Sequence, residues 1–128
     1  MDNIMENCCT ALVTPMVKEK IDYAGFEKLV DFQLENNVNE LVINGTTGES
    51  PTTTDEEKLQ LVKLGIAKSE SVTAGCGTNN TVHSERLIRD AEKAGAKRIL
   101  LVDCYYNGPS SLELRMLLKF QESLTAVW

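Results

Sequence analysis

Apolar residues gather in four short runs: CCTALVT (8–14), ELVIN (40–44), SVTAGC (71–76) and KRILLVDC (97–104). None alternates cleanly with polar positions. Near-continuous apolar runs of this length predict strands buried on both faces of a parallel sheet. Between them the apolar positions change to a helical period. Over 22–37, Phe26, Val30 and Leu34 fall at i, i+4 and i+8, with Asp22 set to cap the start. Over 54–69, Leu59, Val62 and Ile66 share a face, and Thr54-Asp55-Glu56-Glu57 reads as a capping box. Over 81–94, Leu87, Ala91 and Ala94 line up, and Gly95 ends the helix. Over 110–124, the capping box from Ser110 to Glu113 opens a last helix with Leu114, Leu117 and Leu118 inward. The tail LLKFQESLTAVW does not read as a fifth strand.

The order is therefore βαβαβαβα, with strand starts at 8, 40, 71 and 97. A repeat of about 30 residues is one βα step, and such alternation gives a parallel sheet with right-handed crossovers. Two architectures fit this α/β pattern: an open doubly wound sheet, or a (β/α)8 barrel of which four units are half. In either, ligands bind beyond the carboxyl ends of the strands. The loops agree. Those after the strands (TPMVKEK, GTTGESPTT, GTNNT, YYNGPSS) are rich in Thr, Asn, Gly and Tyr. Those after the helices (NNVNE, SESV, GAK) are short and plain.

Composition narrows the function classes. The chain has 128 residues, 42% of them apolar, enough for one domain with a core. A net charge of −6 and a pI near 4.8 argue against nucleic acid or an anionic membrane as partner. No apolar run approaches the roughly 20 residues that span a bilayer. The opening MDNIMENCC is polar and acidic, unlike a secretory signal, so a soluble cytoplasmic protein is expected. Cys8, Cys9, Cys76 and Cys104 form no C-x-x-C pair and read as small buried thiols of a reducing compartment, not as a metal site. His83, the single histidine, reads as a surface residue at a helix start.

Two loops carry candidate chemistry. GTTGES (45–50) has neither the lysine nor the spacing of a phosphate-binding P-loop. It offers backbone N–H groups and two hydroxyls without a fixed cation, which suits a carboxylate better than a polyphosphate. GCGTNN (75–80) lacks the third glycine of a dinucleotide fingerprint. At Tyr105-Tyr106-Asn107, adjacent tyrosines at a strand end point in opposite directions, so one can pack while the other faces a site. A tyrosine hydroxyl bonded to another hydroxyl can relay a proton.

In this order, CTALVTPM, GTTGES, AG-x-G-x-N and YYN-x-PS resemble the amino-terminal half of the dihydrodipicolinate synthase and N-acetylneuraminate lyase family, over roughly residues 8 to 115. The resemblance implies the first four βα units of a (β/α)8 TIM barrel, a single incomplete domain over 1–128. It implies class I aldolase chemistry without cofactor or metal. In that chemistry a lysine forms a Schiff base with pyruvate or a related 2-oxo acid, and the enamine attacks an aldehyde, in lysine biosynthesis for the synthase branch. By the same resemblance Thr46 and Tyr106 belong to the proton relay, and Thr47 binds the pyruvate carboxylate. Tyr106 would reach into the neighbouring subunit's site across a tight dimer, in a family of dimers and tetramers. Ser50, Asn79 and Tyr105 match an interface site where some members bind lysine as an inhibitor. Pro51, Asp55, Lys58 and His83 depart from the regulated pattern, and Asp103-Cys104 departs from the commoner Thr-Pro.

The family's Schiff-base lysine lies on the sixth strand, beyond this chain, and Lys18, Lys20 and the other lysines replace it nowhere. The expectation is a chain inactive alone. A fragment of a sugar-acid aldolase or of N-acetylneuraminate lyase is the first alternative. A non-catalytic carboxylate-binding half-barrel is the second, and a flavodoxin-like domain the third. A half-barrel leaves strands one and four with unpaired edges, open to pairing with another copy.

Overall fold

The structure, a computed structural model, describes residues 8–102, 105 and 125–127. The element order is β1 (Cys9–Ala11), β2 (Met16–Val17), β3 (Lys20–Ile21), α1 (Tyr23–Glu35), β4 (Glu40–Ile43), a 3-10 turn (Ser50–Thr52), α2 (Asp55–Lys68), β5 (Val72–Gly75), α3 (Thr81–Lys93), β6 (Arg98–Leu100) and β7 (Thr125–Val127). The main sheet runs β1-β4-β5-β6-β7 with every pair parallel. Sequential strands are neighbours throughout. A doubly wound sheet would place a later strand on the far side of the first, so this order is that of a barrel segment.

Local chemistry sets the helix starts. The Asp22 carboxylate accepts from the Gly25 N–H at 2.9 Å. At α2, Thr54 Oγ1 accepts from the Glu57 N–H, and the Glu57 carboxylate accepts from the Thr54 N–H, so the capping box is closed both ways. The Asn80 side chain caps α3 through the His83 N–H.

The core lies between the sheet and the helices, around Phe26, Val30, Leu41, Ile43, Leu61 and Ile99. On α2 the buried positions are Lys58, Leu61, Val62 and Gly65, so the inward face is turned from the expected Leu59–Val62–Ile66 line. The small Gly65 lets the helix lie against Ile43.

Several expectations need correction. Only β5, buried at all four positions, is covered on both faces as expected; among the described residues β4 and β6 alternate between buried and half-buried positions, and β1 is open. Leu41 and Ile43 face the helices, whereas Val13 and Val102 are 52% and 45% exposed. Their near-continuous apolar character suits a sheet closed into a barrel, where the second face meets other strands. A fifth parallel strand, β7, pairs with β6 through Ile99 and Ala126, where no strand was expected. The outer strands are thus β1 and β7, not the first and fourth expected strands. Met16–Val17 and Lys20–Ile21 form an antiparallel hairpin inside a stretch read as loop. Cys76 is buried, but Cys9 is exposed and Cys8 half-buried. The expected last helix, 110–124, and Cys104 lie outside the described residues. Among the described residues no helix is long and apolar enough to cross a membrane.

At the amino ends of the strands a polar group ties three of them together. Arg98 bonds Glu40 at 3.0 Å and Ser71 Oγ at 2.8 Å, and Thr73 donates to Glu40. The candidate chemistry lies at the opposite end.

Candidate functional site

β4 ends at Ile43, and Asn44 follows in the left-handed region at φ 62°. This turns the chain out of the sheet into Gly45-Thr46-Thr47-Gly48. The turn closes on itself: the Gly45 carbonyl accepts from the Gly48 N–H at 3.1 Å, and the Thr46 carbonyl accepts from the Glu49 N–H at 3.0 Å. Glu49, again left-handed at φ 53°, leads into the 3-10 turn. Thr46 and Thr47 stand exposed at the apex. No described residue takes their N–H groups or their hydroxyls. Unpaired N–H groups and hydroxyls in a tight turn form a small anion cradle.

Beneath the turn, Asn44 is 5% exposed and its Nδ2 donates to the Lys58 carbonyl at 3.0 Å. Thr14, from the end of the first strand, donates its hydroxyl to the Gly48 carbonyl at 2.7 Å. Neither residue was singled out in the sequence, because each acts on a segment far along the chain.

A cavity of about 620 Å³ opens beside the turn, lined by Thr46, Ser50, Asp55, Lys58, His83 and Tyr105, among others. It brings Thr46, Ser50 and Tyr105 together. Thr47 and Asn79 are not in its lining, and Tyr106 lies outside the described residues. Tyr105 is 56% exposed.

The charges in this cavity were not anticipated. His83, expected at the surface, is half-buried with Nε2 at 2.8 Å from the Asp55 carboxylate, which Arg86 also contacts. Burial alone would raise the Asp55 pKa, but hydrogen bonds and charge from His83 and Arg86 outweigh it and hold the carboxyl below its ordinary range. Lys58 is 7% exposed and donates Nζ to the Thr53 carbonyl. Burial lowers its pKa, against an upward pull from Asp55 and Glu57. The sequence did carry a signal here: positions 58, 61, 62 and 65 follow the i, i+3, i+4, i+7 pattern of an inward face. Cys76, just past the end of β5, does not line this cavity, and burial, with Asp90 adding to it, pushes its thiol up to about 12, so it is no nucleophile at neutral pH. Among the described residues no group of three His, Cys, Asp or Glu could hold a metal ion.

Comparison with known proteins follows the same lines. The 4-hydroxy-tetrahydrodipicolinate synthase of Thermotoga petrophila is 43% identical over 104 residues, 79% of this chain and 35% of that protein. The chloride-inhibited dihydrodipicolinate synthase from Acinetobacter baumannii, solved in complex with pyruvate, superposes with a TM-score of 0.86 at 34% identity. That match covers 95% of this chain and 44% of the other. A monomeric dihydrodipicolinate synthase variant superposes with a TM-score of 0.80 at 41% identity, over 89% of this chain and 39% of the other. The chain therefore spans well under half the length of the relatives it matches, so its barrel is partial. The Dihydrodipicolinate synthetase family profile covers residues 4–120, and the chain belongs to that family.

Proposed function

We propose that this chain is the amino-terminal part of a 4-hydroxy-tetrahydrodipicolinate synthase, the cytoplasmic enzyme that condenses pyruvate with an aldehyde through a Schiff base. The observation that carries this reading is the turn at 45–48, whose free Thr46 and Thr47 N–H groups stand at a strand's carboxyl end. In the proposed role these N–H groups and the Thr47 hydroxyl hold the carboxylate of a 2-oxo acid. The Thr46 hydroxyl passes a proton toward Tyr106. Ser50, Asn79 and Tyr105 belong to an interface or effector region, with Asp55, Lys58 and His83 giving it a different charge pattern from the lysine-regulated members.

In this reading the Schiff-base lysine is not among residues 1–128, and these residues by themselves hold the 2-oxo acid without turning it over. Pyruvate titrated into the labelled chain is expected to shift the Thr46 and Thr47 amide resonances saturably. Borohydride reduction with pyruvate is expected to leave the mass unchanged. A covalent pyruvate adduct would refute the inactivity, and unresponsive amides would refute the carboxylate role.

A second element of the reading concerns partners. Among the described residues the outer edges of β1 and β7 have no partner strand, and with Val13 and Val102 exposed this favours association with a chain that supplies further parallel strands. Concentration-dependent sedimentation tests self-association, and a monomer at all concentrations would exclude a second copy as that chain.

A further inference from the structure

We infer that Thr14 is a positioning residue for the carboxylate turn: its hydroxyl, coming from the first strand, fixes where the Thr46 and Thr47 N–H groups aim. The inference rests on the carboxylate reading of that turn.

The turn has few anchors of its own. Its internal bonds run between Gly45, Thr46, Gly48, Glu49 and Ser50, and they close the loop without fixing it to the sheet. Two side chains make that attachment. Asn44 ties the entry of the turn to α2, through the Lys58 carbonyl. Thr14 ties the exit to β1, through the Gly48 carbonyl, across 34 residues of sequence. The peptide that Thr14 holds adjoins the Thr47–Gly48 peptide, so a change there rotates the apex directly.

Thr14 is itself rigidly placed. Leu12 N–H donates to the Val42 carbonyl at 2.9 Å, which continues the pairing of β1 with β4 to within two residues of Thr14. Pro15 follows, and a residue before proline is confined to extended conformations. The Pro15 carbonyl accepts from the Asp22 N–H at 2.8 Å, which closes the hairpin behind it. A β-branched side chain on so fixed a backbone has a restricted choice of χ1 rotamers. Gly48 completes the fit: a Cβ there would lie 3.0 Å from the Leu12 carbonyl oxygen and 3.2 Å from Thr14 Oγ1. The turn therefore sits directly on the end of the first strand, with the Thr14 hydroxyl as its polar contact. Thr14 is only 7% exposed, so a Gly48 carbonyl deprived of this donor has little water to replace it.

Thr14→Val keeps the shape and removes the donor, and Thr14→Ser keeps the donor. The test uses the full labelled chain in two states. Without ligand, Thr14→Val is expected to move the Thr46, Thr47 and Gly48 amide resonances, and Thr14→Ser to leave them near their original positions. With pyruvate, Thr14→Val is expected to weaken binding about fivefold to tenfold, the loss of one buried hydrogen bond. Thr14→Ser should stay within about twofold of the parent on the same scale. If Thr14→Val does not fold, Thr14→Ala is a second donor-less variant read the same way. Ligand-free amides unmoved by loss of the hydroxyl would overturn the positioning role. A parent chain whose amides move with Thr14→Val yet ignore pyruvate would overturn the carboxylate reading and leave the placement of the turn intact.

Discussion

Gly75→Ala tests whether the close approach of two strand ends places the site. Gly75 ends β5 and lies against the point where β4 becomes the turn. A Cβ added there would overlap the Asn44 carbonyl oxygen, and would lie 2.6 Å from the Asn44 carbonyl carbon and 3.0 Å from the Gly45 nitrogen. These are backbone atoms and cannot rotate away. The strands must part by about 1 Å to restore contact distance, since non-bonded carbon atoms settle near 3.5–4.0 Å. Overpacking of this kind costs about 1–3 kcal/mol, and each ladder hydrogen bond stretched at the gap adds about 1 kcal/mol. The expected loss is about 3 kcal/mol, a large share of the 5–15 kcal/mol typical of a domain.

Urea unfolding reads this as a midpoint lowered by roughly 1–3 M. Gly65→Ala is the control. Its Cβ also meets an atom, but that atom is Cδ1 of Ile43, the free end of a side chain. There the helix gains about 1 kcal/mol from replacing glycine, which offsets most of a rotamer adjustment of similar size. Gly65→Ala should therefore stay within about 1 kcal/mol of the parent. The two substitutions add the same methyl group, so their difference isolates backbone from side-chain contact. Equal midpoints for the two variants, or an unchanged midpoint for Gly75→Ala, would refute the reasoning.

Lys58→Met addresses the buried cation. The Lys58 pKa lies below its ordinary 10.5 when folded, so the unfolded chain binds this proton more tightly, and stability rises with pH through that window. Urea midpoints at pH 8 and pH 10 should show the parent gaining on Lys58→Met. Asp55→Asn works at the other end. The depressed Asp55 pKa contributes stability above its ordinary 3.8 that fades as pH falls through the folded value. The variant should cost about 1 kcal/mol at pH 7, with the gap closing in acid, as measured by denaturant midpoints. In the β2–β3 hairpin, Lys18 and Glu19 occupy φ 49° and 62°, the two positions where a tight hairpin turn favours Asn-Gly. Lys18→Asn with Glu19→Gly should stabilise by about 0.5–1 kcal/mol, seen as a higher melting temperature.

Much of the fold was legible because its signals are local. Thr54 and Glu57 lie three residues apart, so their reciprocal cap could be read from the chain and is present. The hairpin at 16–21 was missed because its turn residues, lysine and glutamate, lack the glycine or asparagine that usually marks one. β7 was missed because three residues, Thr125–Val127, give too short a pattern to separate from a helix end. His83 stands at a helix start as expected, but its pairing with Asp55 was missed because that partner is 28 residues earlier. Nothing in either local sequence indicates that the first turns of α2 and α3 meet.

The amino-acid sequence alone determined the alternation of strands and helices, the parallel sheet, the face that carries the polar loops, and the family. Each follows from hydrophobic period or from short motifs, which act within a few residues. The tertiary structure decided which groups share a cavity and what charge they hold there. Thr14 reaches Gly48, Asn44 reaches Lys58, and Lys58 is buried on an inward helix face. These depend on the register of strands and the rotation of helices against the sheet. Only packing fixes that register and rotation, because a shift of one residue sends each side chain to the other face.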